Sequence, residues 1–107
     1  MVLVSTGVVP SVRIHGRGAV QARDYAVDKL AAALRHAPGP VLFARLTLDS
    51  GAPGERVDAQ VDVDGIAVHV HAVGDTMTEA IDRLQERMRA RLRRMRRRPT
   101  EVIARRE

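Results

Sequence analysis

The chain has 107 residues, 45 % of them hydrophobic and 2 % aromatic, with no cysteine and a formal net charge of +5. That length suits one compact domain. The missing cysteine excludes a disulfide framework, a thiolate zinc site and a thiol nucleophile, and two aromatics (Tyr25 and Phe43) leave few platforms for base stacking.

No stretch approaches the roughly 18 apolar residues of a membrane span. The start, "MVLVSTGVVPSV", lacks the basic and apolar regions of a signal peptide. The expectation is therefore a soluble, cytoplasmic protein. Its charge is unevenly spread: residues 83–98 hold nine arginines and one acid, Glu86, a local balance of +8 within a total of +5, so the remainder carries −3. Such an isolated like-charge element attracts polyanions, with RNA, DNA and anionic membrane all candidates.

In chain order, "VRIHG" (12–16) alternates apolar and polar and predicts a first strand. Residues 20–36 carry Val27, Leu30, Ala31 and Leu34 at helical spacing, and "APGP" (37–40) stops that helix. Three strands follow, over 41–49, 56–64 and 66–73, with the turn-rich "SGAPGE" between the first two. Asp64-Gly65 signals a two-residue hairpin, because a type I′ turn needs positive φ at its central positions. That turn sets Val63 opposite Ile66, Val61 opposite Val68, Ala59 opposite Val70 and Val57 opposite Ala72. One face becomes wholly apolar, while Asp62, Gln60 and Asp58 meet Ala67, His69 and His71 on the other. A slip of one residue would mix the faces.

The last element begins near Asp75 or Thr76, either able to cap a helix, with Glu79 close behind at the positive dipole end. Met77, Ile81, Leu84, Met88, Leu92 and Met95 fall within an arc of about 80° at 100° per residue. This predicts an amphipathic helix ended by Pro99. The expected domain is 1–98, and 99–107 reads as a linker or tail. The fold class is α+β in the order β-α-β-β-β-α. It comprises an antiparallel meander with the first strand added at one edge, and two helices packed on the apolar face of the four-stranded sheet.

The chemistry concentrates on the last helix. Arg83, Arg87, Arg91, Arg94 and Arg98 share an arc of about 80° beside the apolar stripe, and Arg89, Arg93 and Arg96 line the opposite flank. A merely solvated face usually alternates the sign of its charges so that i,i+4 pairs offset one another. Here Glu86 is the only acid after Asp82 within the helix, so the arginines repel one another along it. Two rails of guanidinium along a helix of roughly 30 Å suit successive phosphates of a nucleic acid.

His69 and His71 stand near Asp58 and Asp62 across the hairpin, but the register puts them on an open face without a third converging ligand, so no metal and no cofactor is expected. His15 and His36 stand alone. "HGRG" (15–18) reads as a strand-to-helix turn, and no nucleophile elbow or phosphate-cradling glycine loop is present, so no enzyme is expected.

The stretches "VRIHGRGAVQARDYAVDKLAAAL" and "DTMTEAIDRLQERMRARLRRMRRR", with the meander between them, resemble the ribosome hibernation promoting factor family, also known as ribosome-associated inhibitor A or the sigma-54 modulation (S30AE) domain. "RDYAVDKL" is similar to the family's R-E-Y-x-x-x-K-L, and "DTMTEAID" to its D-M-Y-x-A-I-D. The resemblance implies a non-enzymatic domain that binds the small ribosomal subunit through 16S rRNA, associates with the 70S ribosome and blocks mRNA and tRNA under stress or in stationary phase. By position it implies rRNA contacts at Arg23 and Lys29 on the first helix. On the second it implies contacts at Arg87, Arg91, Arg93, Arg94 and Arg96, and the arginine rail adds Arg83 and Arg98. Thr78 stands where the family has tyrosine, Ala90 where many relatives are basic, and Arg89 where relatives often have an acid. "TEVIARRE" is similar to the linker of long-form members, which self-associate through a C-terminal domain. The alternatives are a general RNA- or DNA-binding domain and a protein-interaction module without ribosome preference.

Overall fold

The computed structural model describes residues 8–51 and 54–106, with side chains as far as Met95. A short strand β1 (Ser11–His15) leads through a 3-10 turn (Arg17–Ala22) into helix α1 (Arg23–Leu34). The meander β2 (Val41–Gly51), β3 (Gly54–Val63) and β4 (Ile66–Gly74) follows, then helix α2 (Met77–Arg106). The four strands form one sheet in the order β1-β2-β3-β4. β1 runs parallel to β2 and the other pairs are antiparallel. A parallel pair needs a crossover connection, which is the role of α1.

The predicted hairpin register holds at every pair from Val63↔Ile66 to Val57↔Ala72. Asp64 (φ 52°) and Gly65 (φ 91°) both take the left-handed conformation that a type I′ turn requires. Asp62 Oδ1 accepts the Gly65 N–H at 2.7 Å, and the Asp64 N–H donates to the Pro40 carbonyl at 2.8 Å, tying the turn to the start of β2. Strand alternation then buries Leu46, Leu48, Val57, Ala59, Val61, Val63, Val68, Val70 and Ala72 on one face. Ile66, at the hairpin end of that face, stays 53 % exposed.

Both helices cover the apolar face. The α2 stripe Met77, Ile81, Leu84, Met88, Leu92 and Met95 is buried, as its spacing predicts. α1 turns a different face inward from the one expected. It buries Ala26, Leu30 and Ala33, whereas Ala31 is exposed and Val27 and Leu34 are half-buried. Ala26 and Ala33 flank Leu30 on the inner face, which packs against α2 more than against the sheet, and the larger Val27 and Leu34 pack at its margin.

Three boundaries differ from the sequence reading. Residues 17–22 enter α1 as a 3-10 turn, with no side chain capping either helix start. Gly16 precedes it at φ 93°, where an added Cβ would overlap the Ser50 carbonyl oxygen, so glycine is required there on two counts. Most of "SGAPGE" is strand, since pairing continues through Ser50↔Glu55 and Gly51↔Gly54. The third difference is the end of α2, which runs through Pro99 to Arg106. A proline there forfeits one intrahelical hydrogen bond and crowds the preceding turn. It is followed by Glu101, Ala104, Arg105 and Arg106, all strong helix formers.

Candidate nucleic-acid interface

The arginine helix starts from a reciprocal cap. Thr76 Oγ1 accepts the Glu79 N–H at 3.1 Å, and Glu79 Oε1 accepts the Asp75 N–H at 2.7 Å. This is a capping box in which the glutamate reaches back to the residue before the cap. From that start, the buried stripe fixes which way each arginine leaves the helix.

The first two arginines do not point freely into solvent. Arg83 Nη1 donates to the Val73 carbonyl at 2.7 Å, and Arg87 Nη1 donates to the His71 carbonyl at 2.8 Å. β4 is an edge strand. In a two-residue hairpin the pair flanking the turn is hydrogen-bonded, so Ile66, Val68, Val70 and Ala72 bond inward to β3, while His71 and Val73 aim their backbone groups outward. One helical step of four residues rises about 6 Å, close to the roughly 6.6 Å of a two-residue strand step. Successive arginines on α2 therefore meet successive outward carbonyls on β4. They occupy acceptors that an unguarded edge would offer to another chain. Arg83 also lies 3.4 Å from Glu79 Oε2, an i,i+4 pair.

Further along, the arginines have different surroundings. Arg91 is half-buried, and Arg93 and Arg94 are exposed. Among the described residues, neither Arg93 nor Arg94 has a hydrogen-bond or ion-pair partner. Arg89 is half-buried, with its Nε enclosed and unpartnered among the described residues. Arg96 and Arg98 continue the α2 backbone, and their side chains lie outside the described residues.

On α1, Arg23 is exposed at the first helical position. Lys29 is placed differently: its Nζ lies 3.7 Å from Asp82 Oδ1 and 5.3 Å from the centre of the Tyr25 ring. The Tyr25 hydroxyl donates to the same Asp82 oxygen, and Gln85 Nε2 donates to the Lys29 carbonyl at 3.4 Å. The hydrogen bond to Asp82, then desolvation and the Asp82 charge, raise the Tyr25 phenol above its ordinary pKa against the opposing Lys29 charge. This polar joint fastens α1 to α2. Neither Tyr25 nor Asp82 is among the contact residues expected from the sequence, although each is a position of a quoted motif, the tyrosine of "RDYAVDKL" and the last aspartate of "DTMTEAID".

The sheet face opposite the helices carries the histidines. His69 Nε2 lies 3.2 Å from Asp58 Oδ1, a diagonal contact, while His71 is the direct register partner of Asp58. Arg56 grips the same carboxylate through Nε at 3.0 Å and Nη2 at 3.2 Å. Burial pushes the Asp58 carboxyl up, but the Arg56 hydrogen bonds and charge, joined by His69, outweigh it and hold the group below its ordinary value. Among the described residues, no group of three or more His, Cys, Asp or Glu is arranged to hold a metal ion. None of the described helices is long and apolar enough to cross a membrane.

Residues 12–100 match the family described as Sigma 54 modulation protein / S30EA ribosomal protein. The chain belongs to this family. Among solved structures, the S30EA chain is similar to the Protein Y N-terminal domain of Thermus thermophilus, at 28 % identity and a TM-score of 0.70 over 82 % of this chain and 98 % of that one. It also shares its fold with a ribosomal subunit interface protein of Coxiella burnetii, at 18 % identity and a TM-score of 0.61, covering 79 % and 96 % respectively. No curated protein matches the chain. The S30EA family consists of ribosome-associated factors, and the matched span takes in α1 and α2 as far as Thr100, including every candidate contact residue from Arg23 to Arg98. Within that span Ala90 is exposed, between the half-buried Arg89 and Arg91 and on the same helix face as the exposed Arg87, Arg93 and Arg94.

Proposed function

We infer that this domain is a ribosome hibernation factor that binds the small ribosomal subunit through 16S rRNA and blocks mRNA and tRNA binding, silencing translation under stress or in stationary phase. The observation that carries the reading is the arginine surface of α2, above all the exposed Arg93 and Arg94, which have no ion-pair partner among the described residues, in a chain of a ribosome-associated family. Arg23, Arg91, Arg96 and Arg98 are assigned to the same surface. Arg83, Arg87 and Lys29 serve it with the donors left over from their bonds within the protein. The mechanism is steric and needs no bond-making: phosphate contacts hold the domain, and its volume excludes the ligands of the decoding channel. Residues 1–98 form the binding unit, 99–107 lead out of it, and self-association through a further domain belongs to the same reading. Such a factor works in the cytoplasm.

Co-sedimentation with 30S and 70S particles across a salt series tests this. Binding should weaken steeply with salt, because each neutralised phosphate releases condensed counterions. Bulk duplex RNA should compete poorly. Protein left in the supernatant at low salt would refute the reading, and equal competition by bulk RNA would replace it with a general nucleic-acid binder.

A further inference from the structure

The sheet face away from the helices is open, and alternation brings Arg13 from β1, Arg45 and Thr47 from β2, Asp58 and Gln60 from β3, and His69 from β4 onto it. These six line a shallow depression of about 240 Å³. The ladder sets Arg13 beside Thr47 and Arg45 beside Gln60, which in turn faces His69.

The charges on this face are not balanced locally. Of its three acids, Asp58 lines the depression but is bonded to Arg56 and His69, Asp62 accepts the N–H of Gly65 at the hairpin end, and Asp49 stands next to Arg56 in the register, away from the depression. Arg13 and Arg45 have no carboxylate within ion-pair distance among the described residues. The Arg45 guanidinium lies over the Phe43 ring, 5.3 Å from its centre. Stacking on an aromatic face leaves the in-plane N–H fork of an arginine free to grip an oxyanion. Two guanidiniums with no ion-pair partner among the described residues, a hydroxyl and a carboxamide therefore line a space large enough for a phosphate group, beside an Asp58 whose charge Arg56 and His69 offset.

We propose that this depression is a phosphate-binding seat. Arg13 and Arg45 hold the phosphate oxygens, and Thr47 and Gln60 supply neutral donors. Phe43, 42 % exposed and one two-residue strand step from Arg45, adds an apolar surface for the base of a nucleotide. The ligand class is a nucleotide phosphate, carried by a free mononucleotide or by an RNA strand. The seat lies on the face opposite the α2 arginines and does not rest on the ribosome reading.

The test is an NMR titration of the full chain, following backbone amides and arginine Nε–Hε signals, with inorganic phosphate, adenosine monophosphate and a short single-stranded RNA as probes. Saturable shifts at Arg13, Arg45 and Thr47 are expected with the mononucleotide. They should vanish in R13Q/R45Q, weaken in R45K and persist in R91Q/R93Q/R94Q. RNA binding at least tenfold tighter than the mononucleotide assigns the phosphate to a strand, while equal affinities assign it to a free nucleotide. Shifts confined to α2, sheet-face shifts that survive R13Q/R45Q, or no shift with any probe would overturn the seat. Loss of ribosome co-sedimentation in R91Q/R93Q/R94Q, with the sheet-face titration intact, separates this proposal from the ribosome reading.

Discussion

Arg83 and Arg87 stand on the same helix as Arg93 and Arg94, yet the two pairs are chemically different. The first pair is hydrogen-bonded to the Val73 and His71 carbonyls of the edge strand. The second pair is exposed and has no partner among the described residues. A count of arginines treats all four alike. What separates them is how far along α2 they lie relative to β4: the first pair runs beside outward-facing carbonyls, the second does not bond to them. The donors free to grip a polyanion are thus fewer than a count of arginines gives, and the unengaged ones lie toward the C-terminal half of the helix.

The most severe challenge to this contrast removes what holds both pairs in place. Leu92 is fully buried, and Leu92→Ala should cost about 2–5 kcal/mol in urea unfolding, through lost transfer energy and the cavity left behind. Ribosome binding should fall only as far as the folded population falls. A stability loss well under 1 kcal/mol would mean that the apolar stripe does not anchor the helix.

Next in size is R91Q/R93Q/R94Q. Affinity for ribosomes near 0.1 M salt should drop by about a hundredfold, and the slope of log affinity against log salt should shrink by about two to three. Thermal stability should stay level or rise slightly, since like charges on one helix repel. An unchanged salt slope would remove these arginines from the interface.

The counterpart is R83Q/R87Q, where the expected order of effects reverses. Stability should fall by about 1–2 kcal/mol, as hydrogen bonds between charged donors and backbone carbonyls are lost at exposed positions. The bared β4 edge should also promote concentration-dependent self-association in sedimentation velocity. The salt slope should change by less than in the first triple variant. If R83Q/R87Q reduced the slope as much as R91Q/R93Q/R94Q, the division between edge-sealing and solvent-facing arginines would collapse.

The smallest effect concerns Asp58, whose carboxyl is held below its ordinary pKa in the folded protein. Because the folded state then binds fewer protons than the unfolded chain, the contribution is present above the ordinary carboxylate range. It is lost as pH falls through the depressed folded value. Asp58→Asn should flatten the acid limb of the stability profile between the unfolded and folded pKa values. Parallel acid limbs in the two proteins would show that the Arg56 and His69 contacts do not act on Asp58 in solution.

Much of the architecture was legible before any coordinates. Asp64-Gly65 and the alternation around it specified the hairpin pair by pair, because one buried face tolerates a single register. The six apolar residues from Met77 to Met95 specified the inner face of α2 in the same way. The inner face of α1 was less legible: alanine is common enough there that several stripes look equally apolar, and packing against α2 and the rest of the core selected Ala26, Leu30 and Ala33. Pro99 was misleading as a stop, because a single proline removes one hydrogen bond from a helix whose neighbours still favour the helical conformation.

Strand register and the buried stripe of α2 follow from periodicities that single chain segments carry alone, and the excess of arginine beside that stripe is plain from composition. Only the tertiary structure decided which arginines are engaged and which are available, and which arginines meet on the open sheet face. The reason is geometric. The near match between a helical turn and two strand residues acts only when α2 lies along the β4 edge, and Arg13 reaches Arg45 only after α1 returns the chain to pair β1 with β2.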